Sequence, residues 1–334
     1  MVRIPALAAV PAVILALAAC SEAKSVTNPA AAPARPATAD ARHLGMAPVR
    51  GAPRLAPSAD VRRTVAGAAV GGITYHAGPV ILTPKVASVY WSAARIYNGG
   101  PTPGTTGAGT ADGSLIGYFL THIGGTPYFN ILTTYTNGSG QHPANSLAYT
   151  QFWANNTYGV PSGTTSVSDA SMLAMLQYAF NTGKLTYDAN TLYQIFTSGS
   201  VNLGGGFGTQ YCAYHSDGFV TVGGVSKHVL YAAQPYAYAK ASACTPGYAS
   251  PNADPAADAE VNQVIGQINR AVTDPYGTGW YDSSGLENMD RCAWTFGATF
   301  PSGSGVANVT VGTKSFLIQQ NWVNVSPGYC ALRY

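Results

Sequence analysis

From Asp254 to Cys292 the chain spells out one long helix and the loop that must follow it. Asp254 is a good N-cap, and Pro255 after it suits the first helical position, where no amide is needed. Val261, Val264, Ile265, Ile268 and Val272 then recur at helical spacing. A turn follows, and a stretch rich in Gly, Asp and Trp runs to Cys292. A helix with one apolar stripe has to be covered by a sheet or by other helices.

The upstream sequence supplies that partner. Residues 72–80 predict a short strand and turn. Residues 86–93, β-branched and aromatic, predict a central strand. A loop over 99–110 leads to a helix over 112–123, with Leu115, Ile116, Phe119, Leu120 and Ile123 on one face. Residues 128–135 read as a strand before an Asn137-Gly138 turn, and 147–153 as another. Ser168 caps a second helix carrying Met172, Leu173, Leu176, Ala179 and Phe180, and Gly183 stops it. Strands are expected at 191–197, 209–214 and 226–235, then at 306–311 and 315–325. Gly204 to Gly208 is a loop with no helix pattern after it, so it is not a phosphate cradle. The expectation is an α/β fold: a single mixed-sheet domain with a few packed helices, disulfide-stabilised, with a β/loop-rich C-terminal part.

The N-terminal stretch reads differently. Arg3 and the apolar run 4–19 form a signal peptide, and Leu17-Ala18-Ala19-Cys20 matches a bacterial lipobox. Residues 1–20 are therefore expected to be a lipoprotein signal, with Cys20 lipidated as the membrane anchor of an extracytoplasmic protein. Residues 21–66 are Ala/Pro-rich without apolar periodicity and read as a disordered tether. They hold seven basic and three acidic residues, whereas 67–334, the expected folded domain, holds nine basic and eleven acidic. The overall charge of +3 thus belongs to the tether. A nucleic-acid partner is not expected, because such binding needs a basic face on the folded part.

Four cysteines follow Cys20: Cys212, Cys244, Cys292 and Cys330. An even count outside the cytoplasm points to two disulfides, with three pairings open. His76 and His215 are the histidines most like site residues; His122, His142 and His228 read as peripheral. No G-x-S-x-G elbow is present. Asp274, Asp282, Glu287 and Asp290 cluster too closely in sequence to argue for paired-carboxylate chemistry. Twenty-one tyrosines and five tryptophans in a charge-poor chain make a glycan or peptide ligand the expected partner class.

Several stretches resemble one family in order and spacing. They are Tyr75-His76-Ala77-Gly78-Pro79-Val80, Val86 to Tyr90, Tyr211-Cys212-Ala213-Tyr214-His215, Thr273-Asp274-Pro275, Gly279-Trp280-Tyr281, Glu287 to Cys292 and Phe316 to Cys330. Together they resemble the phosphate-induced protein 1, or EXORDIUM-like, family, whose plant members are extracellular and linked to growth. The resemblance implies a zincin-like strand–helix order and a His-Glu-x-x-Glu pattern on the long helix. A metal would bind through such a helical pair, with a Glu as base. Here those positions are Gly266, Gln267 and Arg270. Glycine has no donor atom, and arginine is permanently cationic. Neither catalytic residues nor a metal or other cofactor is therefore expected. Arg270 is expected to pair with Glu287 or Asp290, in the space a metal would take. The first expectation is a non-catalytic binding protein on a metallohydrolase-like scaffold. The alternative is a metal-dependent hydrolase of peptidase or amidase type, with a site relocated to His76, His215, Glu287 and Asp290. On this reading the favoured disulfides are Cys212–Cys244, between neighbouring strands, and Cys292–Cys330, pinning the C-terminal strand.

Overall fold

The computed structural model of the protein describes Met1, residues 43–51 and residues 72–334. Seven strands form one mixed sheet: β1 (Leu44–Pro48), β2 (Lys85–Trp91), β3 (Thr106–Ala108), β4 (Ala148–Trp153), β5 (Thr191–Thr197), β6 (Tyr211–Val222) and β7 (Val225–Gln234). Their spatial order is β1-β6-β7-β5-β2-β4-β3. The central strands β7, β5, β2 and β4 run parallel, and the outer ones pair antiparallel. Parallel strands are covered on both faces, and every residue of β5 is buried.

Alternation along the strands divides the core in two. Val86, Tyr90, Leu192, Phe196, Leu230 and Ala232 face α1 (Leu115–His122) and α4 (Pro255–Thr273). Ala87, Val89, Tyr193, Ile195, Tyr231 and Ala233 face α2 (Asp169–Asn181). The helix boundaries follow local chemistry. The Ser168 hydroxyl accepts from the Ser171 amide, and Gly183, at φ 66°, stands just past the α2 cap. The Asp254 carboxylate accepts from the Ala257 amide ahead of α4, with Pro255 in the first turn.

Some expectations need correction. Residues 128–135 do not form a strand: Phe129–Thr134 is a 3₁₀ helix. The hydroxyls of Thr133 and Thr134 each donate to the carbonyl three residues back. The Thr126 hydroxyl accepts from the Phe129 amide. Such local bonds compete with a ladder. The C-terminal part carries short hairpins, Phe300–Ser302 with Gly305–Ala307, Val309–Val311 with Lys314–Phe316, and Asn321–Val323 with Tyr329–Ala331. The expected strand 315–325 is thus shared between two of them. Residues 43–51, assigned to the tether, belong to the fold, because β1 pairs with the edge of β6. Cys20, residues 2–19 of the expected signal segment and residues 21–42 and 52–66 of the expected tether lie outside the described residues.

Both favoured disulfides are present. Cys212–Cys244 joins β6 to the short helix α3 (Ala241–Cys244) rather than to a neighbouring strand. Cys292–Cys330 ties the end of α5 (Asn288–Arg291) to the last hairpin. Disulfides are the mark of an oxidising compartment. No helix among the described residues is long and apolar enough to cross a membrane. The second bridge closes a 38-residue separation. Changing both of its cysteines to serine should lower stability by about 2–4 kcal/mol, through restored freedom of the unfolded chain. Urea unfolding of that variant checks this, and an unshifted midpoint would refute it.

Candidate functional site

Helix α4 departs from its amphipathic pattern. Every residue from Ala257 to Thr273 is buried, on the polar sides as well as the apolar stripe. Buried polar groups need partners, and most of these have them. Glu260 accepts from the Ala237 amide at 2.9 Å, and Asn262 from the Gln319 amide at 2.8 Å. The Gln263 amide donates to the Cys244 carbonyl. One helix therefore braces the sheet, α3 and the C-terminal hairpins at once.

The last turns of α4 hold the family's site positions. Arg270 donates from Nε and Nη2 to Asp290 Oδ1, at 3.1 and 2.8 Å. The pair is fully enclosed, with 0% and 3% of the two side chains exposed. Asp290 also serves α5: its Oδ2 accepts from the Glu287 amide at 3.0 Å, while its own amide donates to the Glu287 carbonyl at 3.1 Å. Asp290 thus ties the first turn of α5 to the arginine on α4. Side chains on a helix lean towards its N-terminus, so residue 270 lies over residue 266. A Cβ on Gly266 would sit 2.9 Å from Arg270 Nη1. The glycine is what gives the guanidinium its room. The Gln267 side chain is buried beside the His215 imidazole.

His215 completes this chamber from β6. Its Nε2 lies 3.1 Å from the Asp274 carbonyl, and it is wholly buried. Burial, with Arg270 adding to it, lowers its pKa to about 4, so the ring is neutral. Nε2 then donates to the Asp274 carbonyl, and the Gln267 side chain lies against the ring. The chamber is closed by β1. Gly45, at φ 44°, lies so close that a Cβ there would come within 2.5 Å of the imidazole and 2.7 Å of Arg270 Cδ.

His76 stands on the short ribbon of residues 74–75. It sits 3.1 Å from both the Thr74 hydroxyl and the Tyr281 carbonyl, and stacks on the Tyr281 ring at 3.6 Å. It steadies the ribbon in which Thr74–Tyr75 pairs with Trp280–Tyr281. The relocated site expected from His76, His215, Glu287 and Asp290 is therefore not assembled. Among the described residues no three His, Cys, Asp or Glu side chains are grouped to hold a metal. The residues at 266, 267 and 270 do not fit a divalent cation either, since a bound guanidinium fills the space and holds the nearest carboxylate.

Three polar clusters escaped the sequence reading. His43 lies 3.1 Å from Asp169, stacks on Tyr214 at 3.8 Å, and Asp169 also accepts from Tyr214 and Tyr231. Its signal was faint: His43 to Arg50 is a short apolar run inside an Ala/Pro-rich stretch. Glu260 is wholly buried near Tyr97, and burial raises its pKa to about 8. His228 is not peripheral, for it bonds Asp217 at 2.6 Å and lies between Phe219 and Tyr276.

No curated protein and no solved structure matches the chain. Residues 125–316 match the phosphate-induced protein 1 conserved region. The match runs from the 3₁₀ helix through α4, the buried ion pair and the second C-terminal hairpin, and the chain belongs to the phosphate-induced protein 1 family.

Proposed function

We propose that this protein is a secreted, non-catalytic binding protein of the cell envelope, anchored by lipid on Cys20, on a scaffold derived from a metallohydrolase-like fold. The observation that carries the reading is the Arg270–Asp290 pair, enclosed where the family's helix pattern implies a metal. A cation cannot share that space with a guanidinium. The two disulfides support a life outside the cytoplasm. The many tyrosines and tryptophans favour a glycan or peptide as ligand. The full-length protein, grown with zinc and calcium and then desalted, should carry less than about 0.1 zinc per chain by elemental analysis. A stoichiometric zinc content would sink the reading. Labelling with a fatty-acid analogue should mark the wild type and spare Cys20→Ser; equal labelling of both would remove the anchor.

A further inference from the structure

The strand β1 occupies its place in an unusual manner. It reaches the sheet from far upstream, with the stretch 52–71 between it and the next described residue. Its ladder with β6 is short and bulged: only Leu44, Ala47 and Pro48 have direct partners, at His215, Ala213 and Tyr211. The far end of β6 is met by side chains of α2. Gln177 and Asn181 take the amide and carbonyl of Thr221. Such blocking protects an open edge. β1 lies along the other end of that edge, Tyr211 to His215.

The other contacts of β1 also read its main chain. The Trp294 indole donates to the Pro48 carbonyl at 2.9 Å, and the Arg50 amide donates to the Ala243 carbonyl at 2.7 Å. Contacts of this kind hold any extended segment and ask little of its sequence. Selectivity is confined to a few positions. Leu44, Ala47 and Val49 are buried. The Arg50 guanidinium meets the carbonyl of Ser242 at 2.9 Å. Position 45 admits only glycine, because any larger residue meets His215 and Arg270.

We propose that the groove between the β6 edge, α4 and the Trp294 loop is a binding site for extended peptide segments, and that residues 43–51 are its built-in occupant. The ligand class is a short stretch of small and apolar residues, with glycine over the His215–Arg270 chamber and a single arginine at its C-terminal end, presented by another polypeptide. This deepens the binding reading above and rests on it for one point, that the bound segment is not cut.

The test uses the full-length chain and a fluorescent peptide of residues 43–51. In wild type the resident strand competes with the peptide. Gly45→Val expels it, so the variant should bind the peptide at least about tenfold more tightly by anisotropy. A peptide carrying the same Gly→Val change should bind neither protein. Equal affinity of wild type and variant, or equal binding of the altered peptide, would overturn the proposal. If Gly45→Val does not fold, a specific protease site placed within 52–71 lets the wild-type chain be nicked after folding. Both disulfides lie beyond the nick, so the N-terminal fragment is then held by contacts alone. A hundredfold excess of peptide should displace it, and retention of the fragment would again overturn the groove. Exchange seen only between copies of the chain, with free peptide excluded, would overturn it too. Mass spectrometry of the recovered peptide separates the two ideas: binding followed by cleavage leaves the groove standing and sinks the non-catalytic reading.

Discussion

Replacing Arg270 by methionine should cost about 3–5 kcal/mol of stability, because it leaves Asp290 as an uncompensated charge in an enclosed site. Methionine keeps much of the apolar stem, so the loss reports the charge rather than a cavity. Asp290 would retain the Glu287 amide, which is too little for a carboxylate with 3% of its side chain exposed. Adding Asp290→Asn to Arg270→Met should recover at least half of the loss, since an amide can still accept from that backbone group. Urea unfolding of the two single variants and the double one forms the cycle. An unchanged or raised midpoint in Arg270→Met would show that the pair does not stabilise the fold. The result also bears on function, because it measures how firmly the end of α4 is committed to structure.

Glu260→Gln should stabilise the protein at pH 8 and remove most of its pH dependence above pH 6.5. In the unfolded chain the Glu260 carboxyl loses its proton near 4.5; burial holds that proton in the fold until about 8. Below pH 4.5 both states are protonated, and the group's contribution is fully present. Between 4.5 and 8 the unfolded chain releases a proton that the folded chain keeps. Stability therefore falls as pH rises, by about 1.4 kcal/mol per unit where the difference is complete. His215 acts in the opposite sense. Its pKa drops from 6.5 to about 4 on folding, so stability falls as pH drops through that window. The two slopes oppose each other between about 4.5 and 6.5. From 6.5 to 8 Glu260 acts with little opposition from His215. Urea midpoints at pH 5.5, 7 and 8 distinguish the cases, and parallel pH profiles for wild type and Glu260→Gln would refute the assignment.

The buried state of α4 explains why these two variants matter. Its stripe of Val261, Val264, Ile265, Ile268 and Val272 predicted one covered face. Covering the other side takes strands, α3 and the C-terminal hairpins, which arrive from distant parts of the chain. Periodicity sees only the first shell of that packing, because a polar residue buried with a partner looks in sequence like one in solvent. Glu260, Asn262 and Gln263 could therefore not be told from surface residues. The caps at Ser168 and Asp254 were legible because their hydrogen bonds close within three residues. The 3₁₀ helix at Phe129–Thr134 was misread for a related reason: its threonine hydroxyls supply bonds that an apolar pattern does not encode.

Residue chemistry alone determined that positions 266 and 270 supply no metal ligand, since no fold can give glycine a donor or take the charge from arginine. Local spacing determined the helices with strong caps and the apolar strands of the parallel sheet. Only the tertiary structure decided that Arg270 pairs with Asp290, that His76 bonds Thr74 and Tyr281 while His215 bonds Asp274, and that Gly45 closes over His215 and Arg270. Those outcomes depend on where β1, β6 and α5 meet. That meeting is a matter of long-range packing, in which residues hundreds of positions apart compete for one enclosed space.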